Sequence, residues 1–221
     1  MCPLISFYPP SPLLLFFPRF WFEISTWDGN VKEPNDKRAF YAKKGQTYNP
    51  ERYGGMVRFG MWLLRPRVVR EFRGWTELRS VQGPYFLAIV EAVDEVYTDA
   101  TLRRFWRKGL LAPNRKYPHP YQVDVPDEYK NEDRWFLLDT NLDPQRPWKP
   151  DTELPVFAVA LVLGKAPERE WLVYAHAPLG MKRKVEVTIP EYNTVEIDVP
   201  PTGAFYHVLE KTGKAIPVGL K

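Results

Sequence analysis

The chain has 221 residues, of which 44% are hydrophobic, so it is long enough to bury one large core or two smaller ones. Its 31 basic and 27 acidic residues nearly balance, and a formal net charge of +4 does not indicate a polyanionic partner such as nucleic acid. The single cysteine, Cys2, excludes an internal disulfide and a zinc site built from cysteines. The 23 prolines and the 15% aromatic content favour a rigid chain with many loops.

Residues 1–18 are apolar but do not resemble an export signal, because they lack a cationic start and a small-residue cleavage site. Four prolines interrupt the segment: Pro9, Pro10, Pro12 and Pro18. It is also shorter than the roughly 20 apolar residues that span a bilayer. We therefore expect no membrane partner. We interpret 1–18 as an irregular apolar leader, an adventitious start on a chain whose upstream part is missing.

The first predicted strand covers residues 19–25, which are rich in aromatic and β-branched side chains. Strand alternation puts Glu23 on one face together with Trp21 and Ser25. The opposite face is apolar: Phe20, Phe22 and Ile24. This strand therefore carries a carboxylate beside a tryptophan.

A polar connection is predicted after the first strand. Trp27 and Asp28 lie at a turn, which is indicated by the sequence Asp28–Gly29. Residues 31–48 are charged and have few periodic apolar positions, so they are predicted to form a long surface loop.

Alternating helices and strands are predicted up to residue 112. Asn49 as a cap, followed by Pro50, predicts a helix that runs to about Leu64 and is ended by Pro66. The segment Val68–Phe72 is predicted as a short strand. Two further helices are expected, one from Pro84 and one after a cap at Asp99 through Trp106. This order favours parallel strands joined by helical crossovers.

A second, all-β region is predicted after a proline-rich linker at residues 113–130. Six short strands are expected in residues 131–214: Trp135–Thr140, Val156–Leu163, Trp171–His176, Val185–Ile189, Val195–Val199 and Ala204–Leu209. The fourth and fifth of these are predicted to form a hairpin around residues 190–193. Close strand spacing with turn signals favours an antiparallel sandwich, and residues 215–221 are interpreted as a tail.

Several chemistries find little support in the sequence. The three histidines, His119, His176 and His207, have no metal-ligand spacing, and no phosphate-binding glycine motif occurs, so neither a metal nor a cofactor is expected. Basic and aromatic residues alternate between residues 103 and 117, a pattern that also suits nucleic acid. A solvated helix face with its aromatic residues turned inward is the favoured interpretation, and no nucleic-acid partner is expected.

A resemblance rests on FWFEISTWDG, on YGGMVRFGMWLLRPRVVREFRG, and on WLVYAHAPLG with VEVTIP, VEIDVP and GAFYHV near the end. In order and pattern these segments resemble the C-terminal portion of bacterial glycoside-hydrolase-like proteins, over about residues 19 to 210. The resemblance implies the end of a β/α barrel followed by a β-sandwich accessory domain. Residues 19–112 are then an incomplete β/α-barrel-like region, and residues 131–214 are the all-β antiparallel sandwich.

In such a barrel, functional side chains cluster at the C-terminal ends of the strands. The resemblance therefore implies that Glu23 takes the place of a catalytic nucleophile. A retaining glycosidase also needs a second carboxylate about 5 to 5.5 Å away, and that group belongs on an earlier strand that this chain lacks. We expect the chain to be inactive by itself. The alternative role for Glu23 is an ion pair with a nearby arginine such as Arg70.

The candidate substrate-binding residues lie on or next to the same strands. Trp21, Trp27 and Trp75 are interpreted as a platform for sugar rings, with burial in the core as the alternative. Asp28 is interpreted as a ligand of a sugar hydroxyl or simply as a turn residue. Glu71 is expected either to face the barrel mouth or to neutralise two arginines, Arg67 and Arg73.

The expected partner is carbohydrate or the missing N-terminal portion of a barrel. Two other functions stay open on the sequence alone. One is a noncatalytic glycan-binding module, and the other is a purely structural β-sandwich domain.

Overall fold

The computed structural model describes residues 21–25, 40–72, 79–114, 136–145 and 153–219. These residues form a mixed α/β fold in which most of the sheet is antiparallel. The leader at residues 1–18, the candidate residues Trp27, Asp28 and Trp75, and most of the predicted linker lie outside the described residues.

The first two strands form a parallel pair, as the alternation of elements predicts. β1 (Trp21–Ser25) pairs in register with β2 (Val68–Phe72), and the connection between them contains α1 (Phe40–Lys43) and α2 (Pro50–Leu64). The predicted helical crossover between parallel strands is confirmed for this pair. The prediction of a surface loop is wrong for Phe40–Lys43, because these residues form α1 and Tyr41 is buried.

The ends of α2 follow from local chemistry. The side chain of Asn49 accepts a hydrogen bond from the backbone N–H of Arg52 at 2.9 Å, which satisfies one of the free donors of the first turn. At the other end Arg65 takes a left-handed conformation, and its N–H donates to the carbonyl of Met61. The predicted start and end of this helix are both confirmed.

Two helices follow β2. α3 (Arg79–Thr98) begins before Pro84, where its start is predicted, and it contains that proline. α4 (Ala100–Lys108) is capped by Asp99, whose side chain accepts from the N–H of Leu102 at 2.8 Å. The predicted cap of α4 is confirmed, and the helix extends beyond Trp106.

The remaining strands form two antiparallel sheets. The five-stranded sheet has the order β10–β9–β6–β5–β3, and the three-stranded sheet has the order β4–β7–β8. The ranges are β3 (Leu110–Leu111), β4 (Asp139–Thr140), β5 (Phe157–Leu163), β6 (Glu170–His176), β7 (Lys182–Thr188), β8 (Thr194–Val199), β9 (Ala204–Leu209) and β10 (Ala215–Val218). The predicted hairpin is confirmed as β7 and β8.

Two differences from the predicted strands have physical reasons. Residues 215–218, interpreted as a tail, form the edge strand β10, where Pro217 is tolerated because an edge residue needs no second partner for its backbone nitrogen. The strand predicted from Trp135 shrinks to Asp139–Thr140 among the described residues.

The five-stranded sheet lies between the helices and the three-stranded sheet. Its first face packs with α2, α3 and α4 in one hydrophobic cluster that includes Tyr53, Trp62, Phe105 and Tyr174. Its second face packs against the β7–β8 hairpin in another cluster. The described strands form no closed barrel. The helices and the β strands thus share a core, and the division into domains at residues 113–130 stays a prediction.

Gly55 allows α2 to pack closely against the backbone at Pro201. An alanine Cβ at Gly55 would lie 2.1 Å from the backbone oxygen of Pro201, a distance that no side chain tolerates. The same residue accepts a hydrogen bond at its carbonyl from the Tyr174 hydroxyl at 2.6 Å. This contact fixes the N-terminal half of α2 against β6.

Candidate functional site

Glu23 lies in the middle of β1, directly opposite Arg70 on β2. Its carboxylate is 3.4 Å from the Nε atom of Arg70, and both side chains are about half exposed. The ion pair that the sequence offers as the alternative role of Glu23 is therefore present. Exposed pairs of this kind contribute little to stability, typically less than about 1 kcal/mol.

The face of the β1–β2 pair that carries Glu23 is open to solvent. Trp21 is 67% exposed on it, and Val68, opposite Trp21 in the register, is 39% exposed. The other face is covered, because Ile24 is buried and Phe22 packs against Gly60 of α2. A parallel strand pair with one face open to solvent is unusual, since parallel sheets are generally covered on both faces.

Glu71 lies on the covered face, since it is opposite Ile24 in the register. It is close to Tyr53 of α2: burial raises the pKa of the Tyr53 hydroxyl, and the negative charge of Glu71 adds to this effect. The strand pair therefore directs its two carboxylates, Glu23 and Glu71, to opposite faces.

Four tyrosines gather beside Glu71 and the start of α2, and we call them the tyrosine cluster: Tyr41, Tyr48, Tyr53 and Tyr85. Tyr41 and Tyr48 stack at 5.2 Å between ring centroids, and Tyr53 meets Tyr85 edge-on at 5.3 Å. The guanidinium of Arg52 lies over the ring of Tyr41 at 5.0 Å. The sequence pattern does not indicate this cluster, although two of its tyrosines, at positions 41 and 48, are aromatic residues in an otherwise charged segment.

Several polar atoms around the tyrosine cluster are buried without a hydrogen-bond partner. They are Oε1 of Gln46, Nε and Nη1 of Arg52, and the hydroxyl of Tyr53. A buried polar group without a partner costs about 1 to 3 kcal/mol, so native proteins rarely keep several together without a reason.

A concave region lies at the tip of the β7–β8 hairpin. It is a cleft of about 410 Å³ that is lined by Asn114, Asp139, Tyr192 and Asn193, among others. The ring of Tyr192 stacks on Trp171 at 6.1 Å. The cleft thus combines amide and carboxylate groups with one aromatic face.

The basic side of α4 faces solvent while its aromatic residues turn inward. Arg104 forms an ion pair with Glu170 on β6, and Glu170 lies 2.7 Å from Nε2 of His207. Phe105 is buried, and Trp106 packs edge-on against a tryptophan of α2. This arrangement matches the solvated-face interpretation of the basic segment, whose continuation from Arg115 lies outside the described residues.

Two kinds of site find no counterpart in the described ranges. No group of three histidine, cysteine, aspartate or glutamate side chains is arranged there to hold a metal ion. None of the helices in those ranges combines the length and the apolar character that crossing a bilayer requires.

The described chain is thus a mixed α/β protein with an exposed strand face and a tyrosine cluster near one end of it. No known protein family, curated protein or solved structure matches the chain.

Proposed function

We propose that this chain is the C-terminal part of a carbohydrate-active, glycoside-hydrolase-like protein and that it binds sugar without hydrolysing it by itself. The proposal is supported above all by the open face of the β1–β2 pair, where Trp21 and Glu23 lie two residues apart on β1 and on the same face. An exposed tryptophan offers a flat surface for a sugar ring, and a carboxylate accepts hydrogen bonds from sugar hydroxyls.

The orientation of the two carboxylates of the strand pair supports the expectation that the isolated chain does not catalyse hydrolysis. Glycoside hydrolysis needs two carboxyl groups that flank the scissile bond in one cleft, about 5 to 9.5 Å apart depending on the mechanism. Within the two strands only Glu23 points to the open face, because Glu71 is opposite the buried Ile24. A second carboxylate on this face has to come from outside these two strands.

The expected partner is a segment that supplies further parallel strands. A face that exposes the apolar side chains of Trp21 and Val68 is stabilised when other strands or their side chains cover them. A barrel portion that continues the strand pair covers this face and brings the missing carboxylate to Glu23.

The test is hydrolysis and binding of a panel of polysaccharides and chromogenic aryl glycosides. We expect the wild-type chain to retain at least one glycan on affinity gels and to release chromophore no faster than buffer alone. Glu23→Gln is expected to leave the release rate unchanged, as is the control Glu196→Gln, which alters an exposed strand carboxylate on β8.

Two outcomes contradict the proposal in different ways. Turnover that disappears in Glu23→Gln but persists in Glu196→Gln would show that the chain is catalytic alone. Failure to retain any glycan in the panel would remove the carbohydrate function itself.

A noncatalytic glycan-binding module is the second candidate, and the cleft at the hairpin tip favours it. Tyr192 provides the aromatic face and Asp139 the carboxylate in a cleft of about 410 Å³. In this case Tyr192→Ala is expected to weaken glycan retention by about tenfold, which corresponds to the loss of one good aromatic contact. Retention that is unchanged by Tyr192→Ala on the same affinity gels would rule out this cleft as the binding site.

A further inference from the structure

The C-terminal ends of α2 and α4 lie side by side. Nη1 of Arg65, the residue that caps α2, donates a hydrogen bond at 2.5 Å to the carbonyl of Gly109, the residue that caps α4. Within the last turn of each helix, the rings of Trp62 and Trp106 meet edge-on at 5.1 Å between centroids. The two helix ends therefore form one surface.

Four basic side chains belong to this surface, and we call them the basic end: Arg65, Arg67, Arg107 and Lys108. Arg65 is half-buried and the other three are exposed. Among the ion pairs of the described ranges, none includes a member of the basic end. Glu170, the carboxylate that contacts α4, is bound by Arg104 and His207 instead. The charge of the basic end is thus available to a partner.

The helix ends themselves contribute a smaller charge of opposite sign. The C-terminus of a helix is equivalent to a charge of about −0.5, so α2 and α4 together contribute about −1. Four cationic side chains outweigh this contribution. The basic end is therefore clearly positive, although the formal net charge of the whole chain is only +4.

The basic end adjoins the open face of the β1–β2 pair. Arg67 directly precedes Val68, the first residue of β2, and Val68 is opposite Trp21 in the register. Three residues of extended chain span at most about 11 Å, so Arg65 also lies close to this end of the strand pair. Trp21 and the basic end are therefore neighbours on the surface.

The chemistry of this surface distinguishes between classes of glycan. The exposed ring of Trp21 offers a flat apolar contact for a sugar ring. Guanidinium groups bind carboxylates and similar oxyanions through paired hydrogen bonds. A neutral glycan uses only the ring, whereas a glycan with acidic groups uses the ring and the cations. A linear polymer reaches both parts without a deep pocket, because both are accessible from solvent.

We propose that the open face and the basic end together bind an acidic polysaccharide, whose sugar rings contact Trp21 and whose carboxylate or sulfate groups contact the basic end. This inference rests on the proposed carbohydrate function and names the class of its ligand. Glu23 does not oppose such a ligand strongly, because Arg70 is paired with it.

The test compares polymers that share a backbone and differ in charge. One set is dextran, carboxymethyl-dextran and dextran sulfate, and the other is hydroxyethyl cellulose, carboxymethyl cellulose and cellulose sulfate. Poly-L-glutamate is the polyanion without sugar. In calorimetric titrations of the full chain, we expect an acidic derivative to bind about tenfold more tightly than its neutral parent in about 50 mM NaCl. This preference is expected to disappear in about 500 mM NaCl, because salt screens exposed charges. The better of the two derivatives identifies the acidic group.

Matched double variants locate the contact. Arg67→Gln with Lys108→Gln removes two charges of the basic end and is expected to weaken binding of the acidic derivatives about tenfold. The control, Lys211→Gln with Lys214→Gln, removes two exposed charges from the turn between β9 and β10 and is expected to change this binding less than twofold. Trp21→Ala is expected to weaken binding of acidic and neutral polymers alike. Thermal unfolding is expected to give the same Tm for both double variants, since all four side chains are exposed.

The contrary outcomes are distinct. Equal affinity for the acidic derivatives and their neutral parents overturns the inference and leaves the proposed function intact. Equal weakening by the two double variants overturns it as well, because net charge alone then explains the binding. Poly-L-glutamate that binds as tightly as the acidic derivatives, or acidic binding that survives Trp21→Ala, shows that no sugar ring is recognised and also overturns it. Failure to bind any glycan, neutral or acidic, removes both the inference and the proposed function.

Discussion

Replacing Glu95 with alanine is expected to lower the free energy of unfolding by about 3 to 5 kcal/mol, the usual cost of removing one partner of a buried ion pair. Glu95 on α3 accepts hydrogen bonds from Nε of Arg58 on α2 at 3.1 and 2.9 Å. Arg58 is only 3% exposed. Burial on its own lowers the pKa of Arg58, but the hydrogen bonds and the charge of Glu95 outweigh it and raise this pKa.

The free energy of unfolding falls because Arg58 remains charged and buried when Glu95 is removed. Among the described residues, the carbonyl of Thr202, 3.4 Å from Nη1, is then the remaining acceptor of the guanidinium. A protein whose total stability is about 5 to 15 kcal/mol loses a large share of it in this way.

Urea unfolding followed by circular dichroism measures this loss, and a double variant provides the matched control. Arg58→Met combined with Glu95→Leu removes both charges and keeps apolar volume, so its stability is expected to be close to that of the wild type. A loss below about 1 kcal/mol in Glu95→Ala would mean that water reaches the pair and that it does not hold α2 to α3.

The pair also affects the packing of the N-terminal half of α2. Arg58 lies one helical turn after Gly54 and Gly55, and its Nη1 atom occupies the space that a side chain at Gly54 would take. The pair therefore fixes the turn of α2 that also carries Tyr53.

The features that could be predicted from the sequence are those set by neighbouring residues. Asn49 and Pro50 define the start of α2, and the alternation of apolar and polar residues defines the β7–β8 hairpin. The ion pair of Glu23 with Arg70 could also be predicted from the sequence, because parallel pairing of two short strands limits the possible neighbours of Glu23.

The features that could not be predicted depend on contacts between distant segments. The tyrosine cluster joins residues 41 and 48, within a segment that reads as a polar loop, to Tyr53 and Tyr85 on two helices. The strand β3 has only two residues, Leu110 and Leu111, and exists because β5 offers an edge for pairing. No pattern over two residues indicates a strand.

Packing of the helices on the five-stranded sheet was missed for a similar reason. Apolar positions show that a helix has a buried face, but they do not show which element covers it. The strand β6 is buried on both faces, with Tyr174 toward α2 and Val173 toward the other sheet. In the sequence, the unbroken run of nonpolar and aromatic residues from Trp171 to Ala175 indicates that β6 is covered on both faces.

Histidine 176 is expected to make the protein less stable as the pH falls below about 6.5. His176 lies at the end of β6, is 3% exposed, and its ring stacks on Phe157 at 5.5 Å and lies near Phe59. Its Nδ1 atom is buried without a hydrogen-bond partner. Desolvation by burial lowers the pKa of His176 from 6.5 to about 3, because the apolar surroundings disfavour the charged ring.

The direction of the effect follows from proton binding. Between pH 3 and 6.5 the unfolded chain protonates this histidine and the folded chain does not, so protons favour unfolding. The stabilising contribution is complete above pH 6.5 and falls by about 1.4 kcal/mol for each pH unit below it. Lowering the pH from 7.5 to 5 is thus expected to cost about 2 kcal/mol through this residue.

The measurement is the free energy of unfolding in urea at several pH values from 7.5 to 5, for the wild type and for His176→Leu. Leucine keeps an apolar side chain of similar volume, so the change in packing shifts the free energy of unfolding equally at every pH, whereas loss of the titrating group removes its dependence on pH.

The range stops at pH 5 because Glu170 contributes below that value: its hydrogen bonds with Arg104, joined by that of His207, lower its pKa to about 2. The contribution of Glu170 is present above its unfolded pKa of 4.5 and is lost as the pH falls toward 2. If the difference in stability between the two proteins stays constant from pH 7.5 to 5, the ring of His176 is hydrated or already protonated in the folded chain, and its burial between Phe157 and Phe59 does not control the acid sensitivity of the fold.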